Sequence, residues 1–201
     1  MARFVACLAL AGCLLALDLS AAETPGPGKL LVASRQLQGP AFAEAVILLI
    51  HYDATGAMGL IVNRPTSLVP AEALPRLPAL ADYRGPMYLG GPVERRRVLA
   101  LVRAEQPPAT AATIIDGVHF APLNGELLAD TTMDASRLRL YVGYAGWGPG
   151  QLDAELARGS WHVMAASDEL VFSDEVDDVW RRLIPAPRYQ VSTELPGLAG
   201  T

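Results

Sequence analysis

Cysteine is almost missing from this chain: its two copies, Cys7 and Cys13, both stand near the N-terminus. The stretch beyond them has no thiol, which excludes a disulfide, a cysteine nucleophile and a cysteine-based metal site there. Lysine is reduced to Lys29, and acids outnumber bases, 21 Asp+Glu against 16 Lys+Arg, for a formal charge of −5. A net-negative chain lacks the electrostatic footprint of a general nucleic-acid binder, which argues against direct nucleic-acid binding. No apolar run reaches the roughly 20 residues of a membrane helix, so no membrane span is expected in the mature chain. The signature strings of common chemistries are missing too: no H-E-x-x-H, no G-x-S-x-G elbow and no G-x-x-x-x-G-K-[ST] phosphate loop.

Hydrophobic residues make up 51% of the 201 positions and charged ones 18%, enough apolar material for one ordinary domain. The first 22 residues read as an export signal. Arg3 is followed by the apolar run Phe4–Leu17 and then by Ser20-Ala21-Ala22, a small-x-small pattern that places cleavage between Ala22 and Glu23. Residues 23–28, rich in Pro and Gly, form a linker. This predicts a periplasmic protein. Two alternatives stay open. Leu10-Ala11-Gly12-Cys13 has the form of a lipobox, which would make a lipoprotein through Cys13, although Phe4–Ala9 is shorter than the ~7–15 residues of an h-region. A start misassigned upstream would leave a cytoplasmic domain.

Lys29–Ser34 reads as a first strand, and Ala45–Ile50 and Ala57–Asn63 as two buried strands joined at Asp53-Ala54-Thr55-Gly56. Prolines 70, 75 and 78 limit the next stretch to a helical turn or two. Met87–Leu89 and Val98–Val102 are short strands around the corner Gly90-Gly91-Pro92, with Arg95-Arg96-Arg97 a solvated turn after it. Asp116-Gly117 predicts a hairpin, and Asn124 a helix cap. Arg137–Tyr144 alternates as a half-buried strand, with Leu138, Leu140 and Val142 on one face and Arg137, Arg139 and Tyr141 on the other. A turn at Gly146–Gly150, a helix from Gln151 to Arg158, a strand at Trp161–Ala165 and a helix over Asp174–Ile184 follow. Residues 185–201 read as a loosely ordered tail. The class is α/β (α+β), one domain over 29–184 with a mixed, curved sheet and a few flanking helices.

Gly56 through Pro65, Tyr88-Leu89-Gly90-Gly91-Pro92-Val93, Asp116-Gly117-Val118 and the long string Gly143 through Leu152 occur in an order and spacing that resemble the AlgH/YqgE family of bacterial proteins. Glu155-Leu156, Trp161, Leu170-Val171-Phe172 and Trp180 fit it as well. The resemblance implies a bifurcated sheet folded into a pseudo-barrel and brings no established catalytic activity. A role in transcription was inferred for some members. Members are typically leaderless, and an exported domain cannot touch the chromosome.

For chemistry, the turn Gly146-Trp147-Gly148-Pro149-Gly150 leads into a helix at Gln151, where backbone N–H groups can cradle an anion. Its plainer reading is a packing turn. Trp147, set between glycines, is expected to be partly exposed, as interface anchors are. Asn63-Arg64-Pro65 offers a guanidinium for a carboxylate or phosphate; the plainer reading pairs Arg64 with a local acid. Gly90 and Gly91 allow a close backbone approach. His51 stands near Asp53, but His51, His119 and His162 have no metal spacing. No metal and no cofactor are expected. These residues describe a non-catalytic regulatory or interaction module whose partner is a protein or a small anionic ligand. The alternatives are a small-molecule hydrolase using His51/Asp53 or Arg64, and a cytoplasmic transcription-linked regulator.

Overall fold

The computed structural model describes residues 23–186. Residues 1–22, on which the expected export signal, Cys7, Cys13 and the Ala22 side of the expected cleavage point fall, lie outside the described residues, as do residues 187–201. Glu23, on the other side of that point, pairs with Lys29.

Three apolar runs start the sheet: β1 (Lys29–Ala33), β2 (Val46–Asp53) and β3 (Gly56–Ile61). They form an antiparallel meander in which Leu30 faces Leu48 and Leu48 faces Leu60. The hairpin between β2 and β3 closes as expected. Asp53 accepts the Thr55 N–H at 2.7 Å and its hydroxyl at 2.6 Å, a side-chain mimic of a backbone turn.

The remaining strands are β4 (Met87–Leu89), β5 (Val93–Arg103), β6 (Ala112–Ile115), β7 (Val118–Pro122), β8 (Leu138–Trp147) and β9 (Trp161–Ala165). Their spatial order is β6-β7-β5-β8-β3-β2-β1-β9, with β4 joined to β8. The β4–β8 pair runs parallel and the other described pairs antiparallel, so the sheet is mixed. It also forks. The first half of β8, up to Val142, lies between β4 and β5, whereas Ala145–Trp147 pairs with β3. The far edge curls back until the Ile114 carbonyl oxygen and the Ile115 side chain stand 2.7 Å from where a Cβ on Gly28 would be. The result is a half-barrel, as the class and resemblance predicted.

Two cores follow from the curl. The larger holds Leu31, Ile47, Leu60, Tyr141 and Trp180 among others, drawn from both faces of the sheet. The second lies outside the fork, where Leu138 and Leu140 meet Leu80, Tyr83 and Leu127. The second core comes from α1 (Pro70–Ala73), the 3-10 turn Pro78–Asp82 and α2 (Gly125–Ala129), capped by Asn124 at 2.8 Å from the Leu127 nitrogen. With the first core and the Val171–Ser173 segment on its other face, β8 is covered on both sides, which corrects the half-buried reading; even Arg139 is only 2% exposed.

Arg139 is tolerated there because its charge is hydrogen-bonded. Its two Nη atoms donate to the carbonyls of Val171 at 3.0 Å and Ser173 at 2.7 Å, and its plane faces the Tyr88 ring at 4.8 Å. Hydrogen bonds to a charged group contribute about 1.5–3 kcal/mol each. Arg103 does the same job one strand over, reaching Asp168 Oδ2 from Nε and Nη2 at 2.8 and 2.6 Å. The two arginines fasten α4 (Asp168–Val171), a one-turn helix too short to leave a periodic trace in the sequence. Between β8 and β9 runs α3 (Gln151–Ala157). The closing helix α5 (Val176–Leu183) begins two residues later than expected and anchors through Trp180 Nε1 to the Ala33 carbonyl at 2.7 Å.

The fork requires glycine at position 143. Its φ is +68°, and a Cβ there would stand 2.6 Å from the Gly91 carbonyl oxygen and 2.7 Å from that of Val93. Gly143→Ala is therefore expected to lower unfolding free energy by about 2–4 kcal/mol, measured by urea denaturation at equilibrium.

Candidate functional site: an arginine bulge and two hollows

Strand β5 keeps register with β8 from Val102 opposite Leu138 to Val98 opposite Val142, and meets it again at Val93 opposite Tyr144. Between those points Glu94-Arg95-Arg96-Arg97 stand against Gly143 alone. Four residues against one cannot stay in the ladder, so they swell outward as a bulge. The Arg95-Arg96-Arg97 run is solvated as expected, but it is a bulge within a strand and not a turn; the folding of β8 at Gly143 creates it.

The bulge carries strain and uncompensated charge. Glu94 adopts φ +47°, a left-handed conformation that costs a non-glycine residue on the order of 1 kcal/mol. Arg97 pairs with Glu94 at 3.3 Å. Arg95 and Arg96 are exposed and have no carboxylate within 4.0 Å among the described residues.

Beneath the bulge, Gly90 and Gly91 lie against the backbone of Gly143 to Ala145, where any side chain would collide. Gly90 also joins the fork, its N–H donating to the Val142 carbonyl at 3.0 Å and its carbonyl accepting from Ile61 at 2.9 Å. A hollow opens on each side of the bulge root. The larger, about 390 Å³, is lined by His51, Met58, Val93, Tyr144, Gly146 and Trp147. The smaller, about 150 Å³, is lined by Pro40, Ala41, Gly91, Pro92 and Arg95.

The structure thus brings Gly90, Gly91, Gly146 and Trp147 to one face, but several of the expected roles change. Arg64 is not paired with an acid. Its guanidinium donates to the carbonyls of Pro40 (3.0 Å), Ala41 and Ala43 (2.6 Å), because the loop over residues 39–44 folds its backbone oxygens toward it. Asn63 works beside it, accepting from Val46 at 2.8 Å and donating to Glu44 at 2.9 Å. Arg64 thereby holds Pro40 and Ala41, which line the smaller hollow, while Asn63 ties Glu44 to Val46.

Trp147 is 6% exposed, which corrects the expectation of a partly exposed anchor. The strand runs on through Gly146 and Trp147 before turning, and the indole packs inward on Phe42 and Trp161, at centroid distances of 6.3 and 6.1 Å. Glu155, a residue given no role from spacing, holds this cluster. One of its oxygens accepts both indole N–H groups, Trp147 at 2.9 Å and Trp161 at 2.8 Å, and the other accepts from Gln151 at 3.0 Å. Gln151 in turn accepts the Gly148 N–H at 3.1 Å, so that N–H, a candidate for an anion cradle, is already occupied.

His51 and Asp53 do meet, Nε2 to Oδ2 at 3.1 Å, with side chains 52% and 48% exposed. The Thr55 hydroxyl donates to the other oxygen of Asp53, and these Thr55 hydrogen bonds hold the carboxyl below its usual range. The carboxylate therefore sits between hydroxyl and imidazole. A nucleophilic relay needs the imidazole in the middle, so the trio is turn chemistry. Among the described residues no group of three or more His, Asp or Glu side chains is placed to hold a metal ion, and no helix is long and apolar enough to cross a membrane.

Glu155→Ala is expected to lose about 2–4 kcal/mol of stability and to shift tryptophan emission to the red as two indoles lose their acceptor. Trp147→Ala is expected to cost about 3–5 kcal/mol, as a core truncation does. Chemical denaturation followed by fluorescence checks both.

A family model described as AlgH-like matches residues 30–190. A UPF0301 protein of Chlorobaculum tepidum is 34% identical over 180 residues, covering 86% of this chain and 95% of that one. Another from Rhodococcus erythropolis is 35% identical over 79% of this chain and 81% of its own length. The solution structure of the AlgH protein from Pseudomonas aeruginosa superposes with a TM-score of 0.60 at 28% identity, covering 75% of this chain and 85% of that one. The crystal structure of a Corynebacterium diphtheriae protein gives 0.67 at 25% identity, over 79% and 85% of the two chains. With its forked half-barrel and three of its four motif segments meeting at the fork, the chain belongs to the AlgH-like family.

Proposed function

We propose that this protein is a non-catalytic binding module of regulatory type, which holds an anionic partner on the bulge at Arg95–Arg97. The observation that carries this reading is the excursion itself: two guanidinium groups without acidic partners, pushed out of the sheet on a strained backbone, in a protein of net charge −5. Planar guanidinium forks suit carboxylate or phosphate groups, and the hollows beside the bulge root have room for the rest of a ligand. Three arginines at one point neutralise too few phosphates to hold a nucleic acid against physiological salt, so the partner is a small anion or an acidic patch on another protein.

Titration of ¹⁵N-labelled protein with inorganic phosphate, citrate and poly-glutamate tests this. The expected result is a saturable shift of the amides over residues 93–97 with at least one probe. The interaction should weaken with salt and fall at least about tenfold, or about 1.4 kcal/mol, in Arg95→Glu/Arg96→Glu. No saturation with any probe, or undiminished binding by the variant, would reject the reading.

We also propose that the protein is exported and works in the periplasm after cleavage between Ala22 and Glu23. Mass spectrometry of the mature N-terminus from fractionated cells is expected to give Glu23. An acylated Cys13, or a cytosolic form that keeps the leader or starts near Lys29, would overturn it.

A further inference from the structure

A second cleft lies at one end of the half-barrel and shares no residue with the bulge. It has a volume of about 500 Å³ and is lined by Arg103, Glu105, Asp116, Ser136, Arg137 and Asp168. These residues come from four parts of the chain: the end of β5, the β6–β7 turn, the start of β8 and the start of α4.

The walls are fixed. The Arg103 N–H donates to the Arg137 carbonyl at 2.7 Å, and the Ala104 N–H to the Gly117 carbonyl at 3.1 Å. Behind Ala104 stands His119, 2% exposed, with Nε2 at 2.9 Å from the Ala104 carbonyl and Nδ1 at 3.1 Å from the Thr113 hydroxyl. A carbonyl can only accept, so Nε2 donates to Ala104, and Nδ1 shares a hydrogen bond with the Thr113 hydroxyl. The buried imidazole is thus fully used in bracing the cleft.

The charges within it are not all used. Arg103 and Asp168 satisfy each other through two hydrogen bonds to one oxygen. Arg137 has no carboxylate within 4.0 Å, and Glu105 and Asp116 have no cation within that distance among the described residues. Opposite charges thus line one cleft without forming an ion pair with each other. The cleft has the volume of a small-ligand site.

We propose that this cleft binds a small zwitterion, its carboxylate on Arg137 and its ammonium on Asp116 and Glu105. A ligand with one charge would be attracted by one set of these groups and repelled by the other, so selectivity follows from carrying both signs. The groups are solvent-exposed, which sets the affinity of each contact low and places binding in the micromolar to millimolar range.

The probes are diglycine and tetraglycine with free termini, and the same peptides N-acetylated or C-amidated. Each is titrated into the ¹⁵N-labelled full chain while the amides of Ala104, Gly117 and Ser136 are followed. At least one free peptide is expected to give saturable shifts, and blocking either end is expected to weaken binding by about tenfold or more. Arg137→Gln and Asp116→Asn should each do the same, with melting temperatures confirming that the exposed substitutions leave the fold intact. Arg95→Glu should change nothing here, which separates this site from the bulge. The proposal fails if no free peptide saturates, or if both cleft variants bind as well as wild type. It fails too if only one blocked form loses binding, since that would mark a site for a single charge.

Discussion

Everything in this half-barrel turns on one strand serving two neighbours in succession. β8 is flanked by β4 and β5 over its first half and reaches β3 over its second, and the change takes place at Gly143. A backbone with φ of +68° and no side chain lets the strand fold past the carbonyls of Gly91 and Val93. That single permissive position sets the fork, gives the sheet two separate cores and displaces four residues of β5 into solvent. The strained, cationic bulge is therefore a geometric consequence of how the sheet is closed, which ties the candidate binding face to the part of the fold least free to change.

Arginine is the fastener throughout. Arg64 gathers three carbonyls of one loop, Arg139 holds the chain at Val171 and Ser173 from within the core, and Arg103 grips Asp168. A guanidinium presents several donors in one plane, so it satisfies converging oxygens that an ammonium could reach only in part. In each case the positive charge is used up internally. The contrast with Arg95, Arg96 and Arg137, which have no carboxylate within 4.0 Å among the described residues, is what singles those three out as surface for something else.

Much of the architecture was legible from local chemistry. The continuous apolar runs at Ala45–Ile50 and Ala57–Asn63, the Asp53–Gly56 and Asp116-Gly117 turns, and the Asn124 cap each act within a few residues, and each lies where its pattern places it. The glycine-rich strings identified the family because close backbone approaches leave a compositional mark. Site roles were less legible. Trp147 between two glycines looks exposed in one dimension, and only the presence of Phe42, Trp161 and Glu155 around it makes it core. Arg64 looks like a partner for an acid until a loop some twenty residues upstream supplies carbonyls.

What the chain determined by itself, then, was the set of strands and most of the turns, the lack of any thiol after Cys13, and the kinship carried by its glycines, all of which rest on interactions between near neighbours or on composition. The tertiary structure alone decided which charges are spent and which are free. Pairing between groups 30 to 150 positions apart, such as Arg139 with Val171 or Trp180 with Ala33, depends on how the sheet curls, and nothing in the spacing of residues along a chain encodes that curl.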